Sequence, residues 1–204
     1  LPAVEETSDV RLGVFGGSFD PPHLSHVLAV KTVLETNAVD RVIVVPVYGH
    51  AFGKRLAGFE HRLAMCELAF SELPADLRSR VEVSAIEREL PPPNYTLYML
   101  EALRALHPDA ELRLVVGGDV LRDHGKWHRW DDVVRLAPVL PLGRVGVAVE
   151  GAPEAVLPEI SSTDIRNWLA QRGDPAQMGE ARRRLAEVVP ERVLAYVDEQ
   201  ALYR

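Results

Sequence analysis

The sequence predicts an α/β fold: a doubly wound, mostly parallel sheet followed by a helical C-terminal part. Three observations carry this. Short apolar runs alternate with helical stretches along most of the chain. One run, Arg41-Val-Ile-Val-Val45, is almost wholly β-branched, which suits a strand buried on both faces. Glycine pairs, Gly16-Gly17 and Gly117-Gly118, stand directly after two of the runs, where such sheets bind ligands beyond their carboxyl ends.

The elements follow in order. Val10 to Phe15 reads as the first strand, ended by Gly16-Gly17. From Leu24 to about Thr36, Val27, Val30 and Leu34 recur at helical spacing. Arg41–Val45 is a strand stopped by Pro46, and Phe59–Leu73 is a helix. Arg80–Ile86 alternates like a strand, Tyr95–Leu106 is helical, and Glu111–Val116 is a further strand. Pro91-Pro92-Pro93 is a stiff spacer before the helix it precedes. Beyond Leu142 comes a Pro/Gly-rich loop from Gly143 to Pro158, then a helix over Thr163–Arg172 and two more helical stretches to Tyr203. The expected organisation is one domain over 1–204, with an α/β core over 9–160 and a helical part over 161–204 that closes the sheet.

Composition bounds the function. The chain has 204 residues, 47% of them hydrophobic and 26% charged, enough to build a core. Its net charge of −7 gives no general attraction for nucleic acid or an anionic membrane, so phosphate would need a local site. The single Cys66 excludes an internal disulfide and a Cys-based zinc finger. Leu1–Asp9 lacks the pattern of a signal peptide, and no run approaches the ~20 apolar residues of a membrane span. The cytoplasm is the expected compartment, with neither nucleic acid nor membrane as partner; an oligomer is left open.

The strongest chemical signal runs from Gly16 to His26: Gly-Gly-Ser-Phe-Asp-Pro-Pro-His-Leu-Ser-His. Glycines after a buried strand let the backbone turn and approach a ligand. The next helix opens near His23, and its first N–H groups favour anions. His23 and His26 are spaced for one helical face beside them. Competing motifs fail on spacing. Gly13 and Gly16 do not make a dinucleotide-binding G-x-G-x-x-G. Asp20 stands where a hydrolase elbow needs glycine. Gly49 and Gly53-Lys54 are too close for a P-loop, and H-E-x-x-H is absent. The second signal is Ile160-Ser161-Ser162-Thr163-Asp164-Ile165-Arg166: hydroxyl residues suited to capping a helix, with Arg166 one turn in as a charge partner for phosphate.

The first segment resembles the nucleotidyltransferase signature in which a Gly-rich turn precedes H-x-G-H, and it looks closest to the nicotinate-nucleotide adenylyltransferases. Ser25 stands where that family usually has glycine. The second segment is similar to the family's I-S-S-T-x-I-R, which grips ATP phosphates. The resemblance implies a Rossmann-like fold. It implies AMP transfer from ATP to nicotinic acid mononucleotide, with Mg2+ accompanying ATP. It assigns His26 as main stabiliser of the α-phosphoryl group, His23 as orienter of ATP and Arg166 as phosphate partner. Gly16, Gly17, Ser18, Phe19, His23, His26, Gly117, Asp119, Ile160, Ser161, Ser162, Thr163 and Arg166 are the implied ATP site. Lys54, Thr96 and Trp127 are the implied acceptor site; His50 and Lys54 follow strand Val42–Val45 where the family often has a basic residue near the phosphates, Trp127-His128-Arg129-Trp130 resembles its tryptophan-bearing loop, and Arg62 reads as structural.

Tyr95-Thr96-Leu97-Tyr98-Met99-Leu100 only partly resembles the family's Tyr-Thr-x-Asp-Thr-Leu, because Tyr98 and Met99 replace the acid and the second threonine. Two alternatives therefore stand beside the main expectation. One is adenylyl transfer to another small phosphate, nicotinamide mononucleotide or phosphopantetheine. The other is a catalytically silent nucleotide-binding sensor. No metal-ligand set is implied within the protein.

Overall fold

The computed structural model describes residues 10–49, 56–117, 124–143, 160–172 and 177–204. The strands are β1 (Arg11–Gly17), β2 (Arg41–Pro46), β3 (Val81–Val83), β4 (Glu111–Gly117) and β5 (Val139–Leu142). The helices are α1 (Leu24–Glu35), α2 (Phe59–Ser71), α3 (Ala75–Arg78), α4 (Thr96–Leu106), α5 (Trp130–Leu136), α6 (Ser162–Gln171), α7 (Met178–Val188) and α8 (Glu191–Glu199). Short 3-10 turns cover Ile86–Glu89 and His124–Lys126.

The strands join in the order β3-β2-β1-β4-β5, and every pairing among them is parallel. The chain winds outward from β1 in one direction through β2 and β3, then crosses to β4 and β5 on the other side. The direction of winding therefore reverses between β1 and β4, the switch point at which α/β sheets open a crevice. Gly17 ends β1 and Gly117 ends β4, so both residues stand at the carboxyl side of that switch point.

The period of two along each strand splits the apolar residues between the faces. Phe15, Val42 and Val44 pack with Val30, Val33 and Leu34 of α1 and Cys66 and Phe70 of α2. Val14, Ile43 and Val45 pack with Leu97, Leu100 and Leu103 of α4 and Val133 of α5. The pure β-branched run in β2 is thus a strand covered on both sides, as expected.

The C-terminal helices differ from their expected role. They close over α2, not over the sheet. Met65 and Ala69 of α2 join Ile165, Leu169, Leu185, Val193 and Val197 in a third cluster that contains no strand residue among the described positions. The expected strand over Arg80–Ile86 shrinks to Val81–Val83, because the Ser84 hydroxyl accepts the Ile86 N–H at 3.3 Å and starts the 3-10 turn. No helix among the described residues is long and apolar enough to cross a membrane.

Candidate active site

The site is built outward from the end of β1. Gly16 is exposed and Gly17 half-buried at the strand's last turn. A Cβ on Gly17 would lie 3.1 Å from the Phe19 ring, so glycine is what lets the turn close over that ring. Phe19 adopts a left-handed backbone (φ 45°), is 1% exposed, and meets Phe15 and His26 edge-on at 5.5 and 4.8 Å. Its side chain anchors the turn in the core; only its backbone is placed to serve a ligand.

His23 is the N-cap of α1, in an extended conformation, one residue outside the helix. Its ring nevertheless stacks on that of His26, with centroids 3.8 Å apart. The His23 N–H donates to His26 Nδ1 at 3.2 Å. With Nδ1 used as an acceptor, neutral His26 carries its proton on Nε2, a tautomer assigned from this hydrogen bond. Ser25, the departure from the family pattern, is buried in the first turn of α1.

The second motif opens α6. Ser161 is its N-cap, and its Oγ accepts the Asp164 N–H at 3.1 Å. Ser162 Oγ donates to the Pro21 carbonyl at 3.1 Å. Arg166 Nη1 donates to the Asp20 carbonyl at 2.7 Å, and Nη2 donates to Thr163 Oγ1 at 3.1 Å. The second motif is therefore hydrogen-bonded to the loop of the first, although well over a hundred residues separate them. Two helix amino ends, each favouring anions, are tied to one loop. Ile160 is 9% exposed and packs in the third cluster, so it supports this helix through apolar contact.

Arg62 is the brace beneath the loop. It is 1% exposed and donates to the carbonyls of Ala57, Ser18 and Tyr48 at 2.9, 3.0 and 3.4 Å. Burial lowers its pKa, while Asp20 and neighbouring groups oppose the drop. This fits its expected structural role: a planar fork bridges three loop segments as a point charge could not. Asp20, 1% exposed, accepts from Tyr203 and from the Ala57 N–H.

A second group lies on the sheet face covered by α4 and α5. Thr96 is the first residue of α4 and is half-buried. Trp127 meets Trp130 edge-on at 5.4 Å, and both pack partly against the core beneath. His128, to which the sequence reading gave no role of its own, stacks on Tyr95 at 4.4 Å and contacts Tyr98 at 5.8 Å. It links the tryptophan-bearing loop to the start of α4. His50, Lys54, Gly118 and Asp119 lie outside the described residues.

Among the described residues no three His, Cys, Asp or Glu side chains gather as a metal set. A concavity of 310 Å³ lined by Leu12, Arg41, His107 and Asp109 lies at the amino ends of the strands and holds no motif residue. Chemistry at the opposite, carboxyl ends decides the site.

The chain is similar to known proteins over nearly its whole length. The cytidylyltransferase-like family profile matches residues 14–168. A probable nicotinate-nucleotide adenylyltransferase of Anaeromyxobacter sp. (strain K) is 45% identical over 198 residues, covering 95% of this chain and 97% of that protein. One from Myxococcus xanthus is 37% identical over 194 residues, covering 95% of each. In fold, the chain resembles the solved Plasmodium falciparum nicotinic acid mononucleotide adenylyltransferase complexed with NaAD. The TM-score is 0.77, over 95% of this chain and 97% of that one, at 19% identity.

Proposed function

The chain belongs to the nicotinate-nucleotide adenylyltransferase family, and from that premise we propose that it moves AMP from ATP to nicotinic acid mononucleotide, releasing pyrophosphate. The product is deamido-NAD, the dinucleotide precursor of NAD. The observation that carries the reading is the pair of hydrogen bonds from α6 to the first motif, Ser162 to Pro21 and Arg166 to Asp20. They hold two anion-favouring helix ends around a single loop.

The reaction is an in-line displacement. A phosphate oxygen of the acceptor attacks the α-phosphorus of ATP, the new P–O bond forms, and the bond to the β-phosphate oxygen breaks. No protein nucleophile is required, so the protein's work is positioning and charge stabilisation. His26 donates its Nε2–H to an α-phosphoryl oxygen as charge builds there, while His23, expected to orient ATP directly, is 3% exposed and acts instead through the His26 ring it stacks on. The opening N–H groups of α6 receive the outer phosphates, with Arg166 as counter-charge. Gly16 and Gly17 keep side chains out of the nucleotide's path. Thr96 and Trp127, with Lys54, serve the acceptor.

Enzymes of this kind that act on ATP generally use a divalent metal. The described residues do not form a cage for one, and the Asp20 carboxylate is already engaged. Mg2+ enters with ATP as part of the substrate.

The test is pyrophosphate release with ATP and, in turn, nicotinic acid mononucleotide, nicotinamide mononucleotide and phosphopantetheine. Release should be fastest with the first. ATP binding without release from any acceptor would make the protein a sensor. Within the same assay His26→Ala should lower kcat about 100-fold or more, the ~3 kcal/mol typical of one lost transition-state donor. Undiminished turnover would remove His26 from its role.

A further inference from the structure

We propose that Tyr203 is a positioning residue for ATP: by holding the Asp20 carboxylate, it keeps the Arg166 guanidinium available to the phosphates. This rests on the reading of Arg166 given above. Asp20 sits at the centre of the two-motif junction and is 1% exposed, so its carboxylate must find its partners inside the protein. Tyr203 Oη donates to Asp20 Oδ1 at 2.7 Å, and the Ala57 N–H donates to the same oxygen at 3.1 Å. The other oxygen, Oδ2, stands 3.7 Å from Arg166 Nη1, beyond a hydrogen bond. Arg166 instead uses that nitrogen on the Asp20 backbone carbonyl at 2.7 Å.

The side chain of Asp20 is thus turned toward Tyr203 and Ala57, and its charge meets Arg166 only at long range. Arg166 is one-third exposed and keeps a side that a ligand can reach. Without the phenol, the carboxylate can rotate onto the guanidinium and neutralise it as a close, partly buried ion pair. The arginine would then compete less well for phosphate.

The backbone around Tyr203 supports a placement imposed by the fold. Ala201 and Tyr203 both hold left-handed conformations, with φ of 53° and 60°. Non-glycine residues stay there only where their surroundings dictate it. The Tyr203 ring packs against the third apolar cluster, which presents the hydroxyl to Asp20. Burial, and after it the bond to Asp20, push the phenol far above its ordinary pKa, so it remains a neutral donor.

The test compares wild type, Tyr203→Phe, Asp20→Asn and the double variant. Affinity for a non-hydrolysable ATP analogue is read by calorimetry, alongside the KM for the acceptor and the thermal midpoint. Affinity is measured at a temperature where all four are folded. Tyr203→Phe should weaken the analogue about tenfold and leave the acceptor KM within about twofold. In the Asp20→Asn background the same change should have little further effect on affinity, because an amide does not neutralise Arg166. A lowered thermal midpoint with unchanged nucleotide affinity would make Tyr203 merely structural and overturn the proposal. Additive losses in the double variant would overturn the route through Asp20. A wild-type protein that does not bind the analogue would sink the functional reading, and this inference with it.

Discussion

Glu87 is a buried carboxyl that the site does not use. It is 3% exposed, its carboxylate accepts the Tyr48 N–H at 2.8 Å, and its backbone carbonyl accepts from Asn94 at 2.9 Å. Burial raises its pKa from 4.5 to about 7, with the Tyr48 N–H and Arg62 opposing. The folded protein therefore holds this proton more tightly than the unfolded chain does. The associated stability is fully present below about pH 4.5 and is lost as pH rises through about 7. Glu87→Gln keeps an oxygen for the Tyr48 N–H and removes the charge. It should raise the thermal midpoint at pH 8, on the order of 2–3 kcal/mol of stability, with the gain fading toward pH 5. Thermal melts across that range check it, and a gain independent of pH would refute it. At this scale the sequence made His23, His26 and Arg166 legible, because each sits in a contiguous motif. It named Asp20 without its partners, since Tyr203 lies 183 positions away and no local pattern joins them.

Among the elements, α6 is the one whose start matters most to the proposed chemistry. Its Ser161 cap satisfies the Asp164 N–H, while Ser162 ties the same turn to Pro21. Ser161→Ala should cost about 1 kcal/mol and lower the melting midpoint by about 2–4 °C. The helix itself should survive, because Ile165 and Leu169 remain buried; circular dichroism through the melt would show it. Loss of helical signal at room temperature would mean that the cap, not the packing, holds α6. The strands β1, β2 and β4 were legible because each is a strongly apolar run flanked by turn residues. α5 and β5 were not. α5 is seven residues long, and β5 is four residues interrupted by Pro141, too short for either period to show. The reduced β3 shows the same limit: alternation continues through Ser84, but the hydroxyl turns the chain aside.

At the scale of the whole molecule, three apolar clusters stack in sequence, with the third resting on the outer side of α2. Val193 is fully buried in that third cluster and belongs to neither motif. Val193→Ala should destabilise the protein by about 2 kcal/mol through lost apolar contact and a residual cavity. For a chain of this size that is a midpoint about 4–8 °C lower. The kcat/KM at 25 °C should stay within about twofold of wild type. A large catalytic loss in a folded variant would show that the helical layer tunes the site through more than Tyr203.

The doubly covered sheet also puts the two groups of residues in different apolar clusters. Phe19, which anchors the glycine turn, belongs to the cluster on one face, whereas Met99, Tyr98 and Trp127 belong to the cluster on the other. Under the proposed function, the departures at Tyr98 and Met99 fall on the acceptor's side of the sheet, away from the glycine turn that Phe19 anchors.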